Sequence, residues 1–246
     1  MAVSSRPIRG LKADAEHTLQ PMRYSRDDPG HDRLATFDIE TTATDPPEGE
    51  LVSIGIGIHD RTDPLTSASY ETFHRRAADD EAALVERAMA GLAAADPDGL
   101  VTYNGVAFDL PFVEGRLTRL DATVEFPAVT ERPAHLDLFP DRKRRADDEG
   151  VPWPRLEACL EAYGHAPPRT VWRGEPLTNS RFGEELGPAY LRTLGTETGE
   201  RFRETLTDVV DHYLVGDLEA TLALFYADLG EPFDATYLGT ERRFDG

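Results

Sequence analysis

The sequence has little or none of several features, and each scarcity excludes a class of protein. Cys159 is the only cysteine among 246 residues, which excludes an internal disulfide bond and a zinc site built on several cysteines. No apolar run approaches the roughly 20 residues that a membrane-spanning helix requires. The first residues, MAVSSRPIRGLKADAEH, lack the apolar core of a secretory signal. We therefore expect a cytoplasmic protein without a membrane segment.

Lysine is also scarce, and acidic residues outnumber basic ones. Lys12 and Lys143 are the only lysines, and 46 acids against 26 bases give a formal net charge of −20. Such a composition is typical of proteins from salt-loving organisms. At molar salt the Debye length falls to about 3 Å, so an acidic protein repels nucleic acid only locally. The charge therefore indicates a halophilic source and does not exclude a nucleic-acid partner, although phosphate contacts dominate such binding.

A chain of 246 residues is long enough for one domain with a single hydrophobic core and short terminal extensions. We expect an N-terminal extension over residues 1–32, one domain over residues 33–230 and a C-terminal tail over residues 231–246. Strands are predicted at Leu34–Thr42, Leu51–Asp60, Ser67–Phe73 and Gly99–Gly105, and from His135. Helices are predicted from Asp79 and at Leu110–Leu120, Leu156–Tyr163, Glu184–Leu194 and Arg201–Leu229, with a loop over residues 165–181. Early strands followed by alternating helices and strands predict an α/β sheet protein.

Two acidic residues lie within the first predicted strand. Asp38 and Glu40 alternate with Phe37 and Ile39, so the two acids share one face of the strand and the apolar residues share the other. Two carboxylates side by side on a core strand repel each other and are costly to desolvate, and a divalent cation would remove both penalties. An edge strand with a solvated acidic face is the alternative.

A third acid interrupts the apolar stripe of the last predicted helix. The stripe follows the i, i+3, i+4, i+7 spacing. It consists of Leu206, Val210, Tyr213, Asp217, Ala220 and Leu224. Because Leu206 and Leu224 place the stripe in the core, we expect Asp217 to point inward, although an aspartate at the margin of a stripe can also reach water.

A fourth acid, Asp109, follows the segment YNGVAF and precedes Pro111 at a predicted helix start. Aspartate is a favoured N-cap and proline suits the first helical turn, so capping alone is enough to explain Asp109. Asp109 is a candidate metal ligand only because the other three acids are also present.

The order of these motifs resembles the DEDD superfamily of 3′→5′ exonucleases. D-x-E on a first strand, then YNGVAFDLPF, then Y-x-x-x-D on a late helix match its tyrosine branch. The exonuclease domain of family B DNA polymerases is similar, and FGEELGPAYLRTLGTETG is similar to a segment of YprB-like predicted exonucleases. The resemblance extends from about Leu34 to Leu229 and implies a ribonuclease-H-like mixed central sheet flanked by helices. Because the chain is shorter than a polymerase, we expect a free-standing nuclease or one subunit of a larger assembly.

The resemblance also implies a role for each residue. Asp38 would bridge two divalent cations, Glu40 and Asp217 would complete the first site, and Asp109 would bind the second. Ligands that are all oxygen favour Mg²⁺ or Mn²⁺ over zinc. Tyr213 would orient the attacking water, because a phenol with a pKa of about 10 is a poor base.

The last motif leaves one ambiguity, because His212 and Asp217 also satisfy the H-x-x-x-x-D spacing of the histidine branch. On a helix, His212 points about 100° away from Tyr213 and about 140° away from Asp217, off the stripe. We therefore assign Tyr213 and keep His212 as the alternative.

Several polar, aromatic and basic residues are candidates for substrate contacts. Asn104 can contact the terminal nucleotide or simply stabilise its Asn-Gly turn. Tyr103 and Phe108 can stack on a base or pack in the core. One dense cationic run can follow phosphates or form a solvated, salt-bridged loop with neighbouring acids. It consists of Arg142, Lys143, Arg144 and Arg145.

The expected function is hydrolysis of phosphodiester bonds at nucleic-acid 3′ ends by a two-metal mechanism, with a single-stranded 3′ end as the main partner. Proteins of repair or replication are further candidate partners. Internal cleavage by the same metals is one alternative. A non-catalytic nucleic-acid-binding module of a repair or helicase complex is the other, because fold alone does not decide among them.

Overall fold

A computed structural model describes residues 22–195 and 200–245, and its centre is a five-stranded sheet in the order β3-β2-β1-β4-β5. The strands are β1 Arg33–Thr41, β2 Leu51–Asp60, β3 Ser69–His74, β4 Gly99–Thr102 and β5 His135–Asp137. Strand β2 is antiparallel to β1 and β3, whereas β4 is parallel to β1 and β5. The predicted α/β class with a mixed central sheet is confirmed.

Helices cover both faces of this sheet. Those of the described residues are α1 Glu81–Ala95, α2 Leu110–Arg119, α3 Phe139–Glu149, α4 Leu156–Tyr163, α5 Asn179–Arg181, α6 Gly187–Leu191 and α7 Glu200–Leu229. Two π-helical segments, Gly105–Asp109 and Phe182–Leu186, lead into α2 and α6. Over the described ranges, no helix combines the length and the apolar character needed to cross a bilayer.

The alternation of β1 divides its side chains between two cores. Phe37 and Ile39 face α1 and α2 and belong to a buried cluster with Leu84 and Phe112. The opposite face of β1 and β2 is covered by α7, whose 30 residues cross the sheet. Both faces of β1 are therefore occupied, and the alternative of an edge strand with a solvated acidic face is not realised.

Gly55 on β2 allows α7 to lie close to the sheet. A Cβ atom at this position would lie 2.7 Å from Leu214 Cγ and 2.8 Å from Leu218 Cδ1, closer than carbon atoms pack. Gly55 is the register partner of Asp38 on β1. This close approach of α7 thus lies beside the strand that carries the acidic pair.

The second sheet was not predicted from the sequence. It has the order β7-β6-β8, with β6 Arg169–Trp172, β7 Glu175–Pro176 and β8 Glu241–Phe244. Strands β6 and β7 lie within residues 165–181, for which a loop was predicted, so that prediction is wrong there. Strand β6 has only four residues and pairs in parallel with β8, far away in the chain, so its own sequence carries no clear period.

The helix predicted at Glu184–Leu194 begins earlier and is not uniform. Thr178 caps α5 by accepting a hydrogen bond from the Arg181 backbone N–H at 3.3 Å, and the chain then passes through the π-helical segment into α6. A Cβ atom at Gly183 would lie 3.2 Å from the Thr42 carbonyl oxygen. This segment therefore packs against the end of β1.

The ends of the described chain contact the domain. The backbone N–H of Arg26 donates to the Asp228 carbonyl at 3.0 Å, and β8 lies within the predicted C-terminal tail. Residues 1–21 of the predicted extension lie outside the described residues. The boundaries at residues 32 and 230 stay predictions.

We predict that Gly55→Ala lowers the free energy of unfolding by about 1–3 kcal/mol, because the added methyl group overpacks the contact with α7. Denaturant titration followed by circular dichroism would measure the change. In a Leu214→Ala background the same substitution should cost less, because the clashing side chain is gone. Equal costs in both backgrounds would contradict the close approach of α7.

Candidate metal centre

Three carboxylates converge between the central sheet and α7. Asp38 and Glu40 lie on β1 and Asp217 lies on α7, and their ligand oxygens are all within 4.8 Å of one another. Glu40 is buried, whereas Asp38 and Asp217 are partly exposed. The structure thus brings together acids that are almost 180 residues apart in the sequence.

The surroundings of these acids explain how they meet. Asp38 and Glu40 share the face of β1 that α7 covers, and Leu214 and Leu218 pack over Gly55 on either side of Asp217 in the helix. Apolar contacts therefore set the distance of α7 from the sheet and its rotation about the helix axis. The stripe that contains Asp217 points inward, as its spacing predicts.

Burial and mutual repulsion raise the pKa values of these carboxyl groups. Desolvation raises the pKa of Asp38 to about 7, although a backbone hydrogen bond from Ile39 opposes this shift. Desolvation also raises the pKa of Glu40 well above its usual range, and the charges of Asp38, Asp217 and Asp109 add to the effect. The pKa of Asp217 is raised by desolvation and by Asp38. Without a cation, this cluster holds protons near neutral pH.

Asp109 lies near the cluster but is not one of the three convergent acids. It is 3% exposed, and its pKa is raised by desolvation first and then by the charges of Asp38 and Asp137. It ends the π-helical segment Gly105–Asp109 with helical backbone angles, and its side chain makes no capping hydrogen bond. The capping alternative is therefore wrong in this structure.

Asp137, at the end of β5, was not predicted as a site residue. Its carboxylate accepts hydrogen bonds from the backbone N–H groups of Asn104 at 2.8 Å, Val106 at 3.1 Å and Phe139 at 3.0 Å. These bonds hold the turn that leads to Asp109. Its position in the segment HLDLF, at the end of a strand parallel to β4, is the sequence signal that could have identified it.

Tyr213 lies beside the cluster on α7. Desolvation raises the pKa of its phenol well above the usual range, and the charges of Asp217 and Glu40 add to this effect. The hydroxyl donates a hydrogen bond to Asn179 Oδ1 at 2.6 Å, and the ring stacks on Phe182 with centroids 6.0 Å apart. Asn179 was not predicted as a site residue, because its contact with Tyr213 joins positions far apart in the sequence.

His212 points away from the carboxylates. It is 6% exposed, its Nδ1 lies 2.7 Å from Thr170 Oγ1 on β6, and its ring contacts Tyr237 and Phe244. Burial lowers the pKa of this imidazole. His212 therefore packs against the second sheet. Of the two candidates for the residue beside the carboxylates, Tyr213 has the suitable position and His212 does not.

Glu157, an exposed acid on α4, is a second neighbour that the sequence did not suggest. Its charge contributes to the raised pKa values of Asp217 and Tyr213. The cluster thus has acidic neighbours from α4 as well as from β1 and α7. In the described part of the chain, no arginine or lysine forms an ion pair with any of the four predicted ligands.

The aromatic and amide candidates for substrate contacts are held by the fold. The Tyr103 hydroxyl donates to the Pro154 carbonyl at 2.7 Å, and Phe108 packs on Phe112 with ring centroids 5.8 Å apart. Asn104 adopts a left-handed conformation with φ of 75° at the turn before the π-helical segment. These contacts give each residue a structural role and leave its contact with substrate a prediction.

The cationic run lies within helix α3 rather than in a loop. Arg142 is fully buried and ion-paired with Asp228, and its Nε donates to the Met22 carbonyl at 2.9 Å. Arg142 is therefore unavailable to a phosphate, and its proposed substrate contact is wrong. Arg144 and Arg145 are exposed, and the ammonium of Lys143 lies 4.0 Å from the centre of the Trp153 ring.

The donor set fits a hard divalent cation. The convergent ligands are carboxylate oxygens, which Mg²⁺ and Mn²⁺ prefer. Like charges at this spacing are unfavourable unless they are protonated or neutralised. Because no basic side chain of the described residues neutralises them, a divalent cation is the partner that the geometry supports.

Comparison with known proteins places the chain in a family. A family model described as RNase_H superfamily matches residues 35–162, which include most of β1 and the segment that ends at Asp109. A DNA polymerase from Thermococcus aggregans is 28% identical over 151 residues, 53% of this chain and 8% of that protein. A DNA polymerase from Thermococcus kodakarensis is 24% identical over 173 residues, 63% of this chain and 10% of that protein. The match thus covers a small part of these much longer relatives.

Two solved structures show limited similarity. A family B DNA polymerase from Pyrobaculum calidifontis aligns with a TM-score of 0.49 and 18% identity, over 83% of this chain and 25% of that chain. Exonuclease I of E. coli, in complex with an oligonucleotide, aligns with a TM-score of 0.36 and 20% identity, over 54% of this chain and 36% of that chain.

We predict that the metal-free protein loses stability as the pH rises from about 4 to about 8. The folded pKa of Asp38 is about 7, above its usual value of 3.8, so its protonated form stabilises the fold below pH 4 and this contribution is lost as the pH rises through 7. Asp38→Asn should remove at most about 4 kcal/mol of this loss. Thermal unfolding in EDTA would measure it, with Asp208→Asn, an exposed acid on α7, as the control. Parallel pH profiles for wild type and Asp38→Asn would contradict the raised pKa.

Proposed function

The chain belongs to the RNase_H superfamily, and we propose that it is a metal-dependent nuclease that removes nucleotides from the 3′ ends of nucleic acids. The observation that carries this proposal is the convergence of Asp38, Glu40 and Asp217, with ligand oxygens within 4.8 Å. The order of the three motifs, which resembles that of the DEDD exonucleases, supports removal from the 3′ end.

We assign the metal ligands on the same basis. Asp38, Glu40 and Asp217 would hold one divalent cation, and Asp109 together with Asp38 would hold a second. Bound Mg²⁺ or Mn²⁺ would stabilise the charge that develops on the phosphate during hydrolysis. The proposal of two ions rests on the resemblance, and the preference for these ions rests on the oxygen-only ligand set.

Tyr213 would position the attacking water rather than take its proton. Its raised pKa keeps the phenol neutral at physiological pH, so it can donate and accept hydrogen bonds but is a poor base. Its hydrogen bond to Asn179 Oδ1 fixes the hydroxyl beside the carboxylates. When substrate binds, we expect this hydroxyl to leave its hydrogen bond with Asn179 and to form one with the attacking water.

A single-stranded 3′ end is the substrate that we propose. Tyr103, Asn104 and Phe108, in the segment that leads to Asp109, would contact the terminal nucleotide. Lys143, Arg144 and Arg145 would contact phosphates further along the strand. Activity at high salt, in a halophilic cytoplasm, and association with repair or replication proteins remain parts of this proposal.

We predict that the protein shortens 5′-labelled single-stranded DNA or RNA from the 3′ end in KCl with Mg²⁺ or Mn²⁺, and not in EDTA. Asp38→Asn should lower the rate at least about 100-fold, because the site would lose one of the charges that would hold the divalent cations. Gel electrophoresis of the labelled products would show a ladder. Internal fragments would instead indicate an endonuclease, and the absence of cleavage by folded protein would contradict an independent nuclease.

Three variants serve as controls for this experiment. Tyr213→Phe should lower the rate about 10–100-fold, because the water loses an orienting hydroxyl. His212→Gln should leave the rate unchanged, because His212 packs against the second sheet, and Asp208→Asn should do so because it only removes an exposed charge. A larger loss in His212→Gln than in Tyr213→Phe would contradict the choice of tyrosine.

A further inference from the structure

A cavity of about 600 Å³ opens beside the edge strand β3 and is separate from the carboxylate cluster. Strand β3 and the residues that follow it form one wall of the cavity, and α1 forms a second wall. Tyr190 and Arg203 complete the lining. It is not lined by any of the residues assigned to the metal centre.

Basic side chains dominate this cavity although the chain as a whole is acidic. They are His74, Arg75, Arg76, Arg87 and Arg203, and the only acid among the lining residues is Glu71. A chain with a net charge of −20 therefore concentrates cations at one place. Arginine at such a concentration favours an anionic ligand with several oxygens.

Two of these arginines are occupied by the fold. Arg75 is 1% exposed and contacts Glu81 Oε2 at 3.2 Å and Glu50 Oε2 at 3.3 Å. The Nη2 atom of Arg87 donates to the His74 carbonyl at 3.0 Å and contacts Asp80 Oδ2 at 3.4 Å, and its Nε is buried. Arg87 is thus held in place by the fold and lines the cavity wall.

The other two arginines have free donors. Asp80 accepts hydrogen bonds from the backbone N–H of Arg76 at 3.0 Å, which fixes the chain at this residue, but no acid of the described residues pairs with its guanidinium. Among the described residues, the only ion-pair contact of Arg203 is with Glu200 at 3.9 Å. Both guanidinium groups can therefore bind an incoming anion without breaking a strong internal contact.

The register of the sheet places this cavity near the metal centre. Glu40, Ser53 and His74 are partners in one row across β1, β2 and β3, so His74 lies two strand spacings, about 10 Å, from Glu40. His74 Nδ1 lies 2.7 Å from Ser53 Oγ, and its Nε2 lies 2.9 Å from Asp211 Oδ1 on α7. An oligonucleotide that covers several nucleotides can span that distance.

We propose that this cavity binds a phosphate group, carried either by a nucleic-acid strand or by a free mononucleotide. Arg76 and Arg203 contact the phosphate oxygens, and Arg87 lines the wall beside them. The site goes beyond the proposed function, because binding there requires neither a divalent cation nor cleavage.

The test compares Arg76→Ala/Arg203→Ala with Arg119→Ala/Arg243→Ala, a control that removes two exposed arginines which do not line the cavity. Binding of a fluorescent single-stranded 12-mer is measured in EDTA from about 0.1 to about 1 M KCl. The cavity variant should bind about tenfold more weakly than the control. Its slope of log K against log salt should fall by about 0.7 for each lost phosphate contact.

Calorimetry with dTMP and with inorganic phosphate identifies the source of the phosphate. Binding of dTMP to the wild type and not to the cavity variant identifies a mononucleotide site, whereas a response of the 12-mer alone identifies a strand site. Equal affinities and slopes of both double variants for every ligand would overturn the proposal. Cleavage with Mg²⁺ is assayed separately, so an absence of nuclease activity can be distinguished from an absence of phosphate binding in the cavity.

Discussion

The like-charged carboxylates of Asp38, Glu40 and Asp217 are the constraint on which the site depends. Bringing three acids within 4.8 Å in a partly buried place is costly, because each loses hydration and repels the others. The packing of Leu214 and Leu218 over Gly55 holds α7 where the acids cannot separate. Hydrophobic burial thus maintains an electrostatic arrangement that is favourable only when protons or a divalent cation neutralise it.

The parts of the fold that could be predicted are those whose patterns are local. The alternation in β1 and the apolar stripe of α7 lie within single elements, and each period identifies both the element and its buried face. The second sheet could not be predicted, because β6 Arg169–Trp172 has four residues and its partner β8 lies near residue 241. The two π-helical segments likewise could not be predicted, because the extra residue of a π-helical turn leaves no period in the sequence.

The candidate site divides in the same way. Periodicity predicts that Asp38 and Glu40 share one face of β1 and that Asp217 points inward, and the structure agrees, whereas the metal roles of all four acids depend on the resemblance. Asn179 was missed because its contact with the Tyr213 hydroxyl depends on tertiary structure. The charge of Arg142 suggested a phosphate contact, but Arg142 forms a buried ion pair with Asp228, which is far away in the sequence. Residue type alone does not distinguish a buried arginine from an exposed one.

The most direct test of the account is a titration of Mn²⁺ into the metal-free protein, followed by electron paramagnetic resonance of the free ion and by proton release. The account predicts saturable binding with release of protons at about pH 7, because ligands with raised pKa values must ionise to hold the cation. Asp38→Asn should abolish the tight binding and most of the proton release. Saturable binding that is unchanged in Asp38→Asn, or no binding to the wild type, would contradict the claim that these carboxylates form a metal centre.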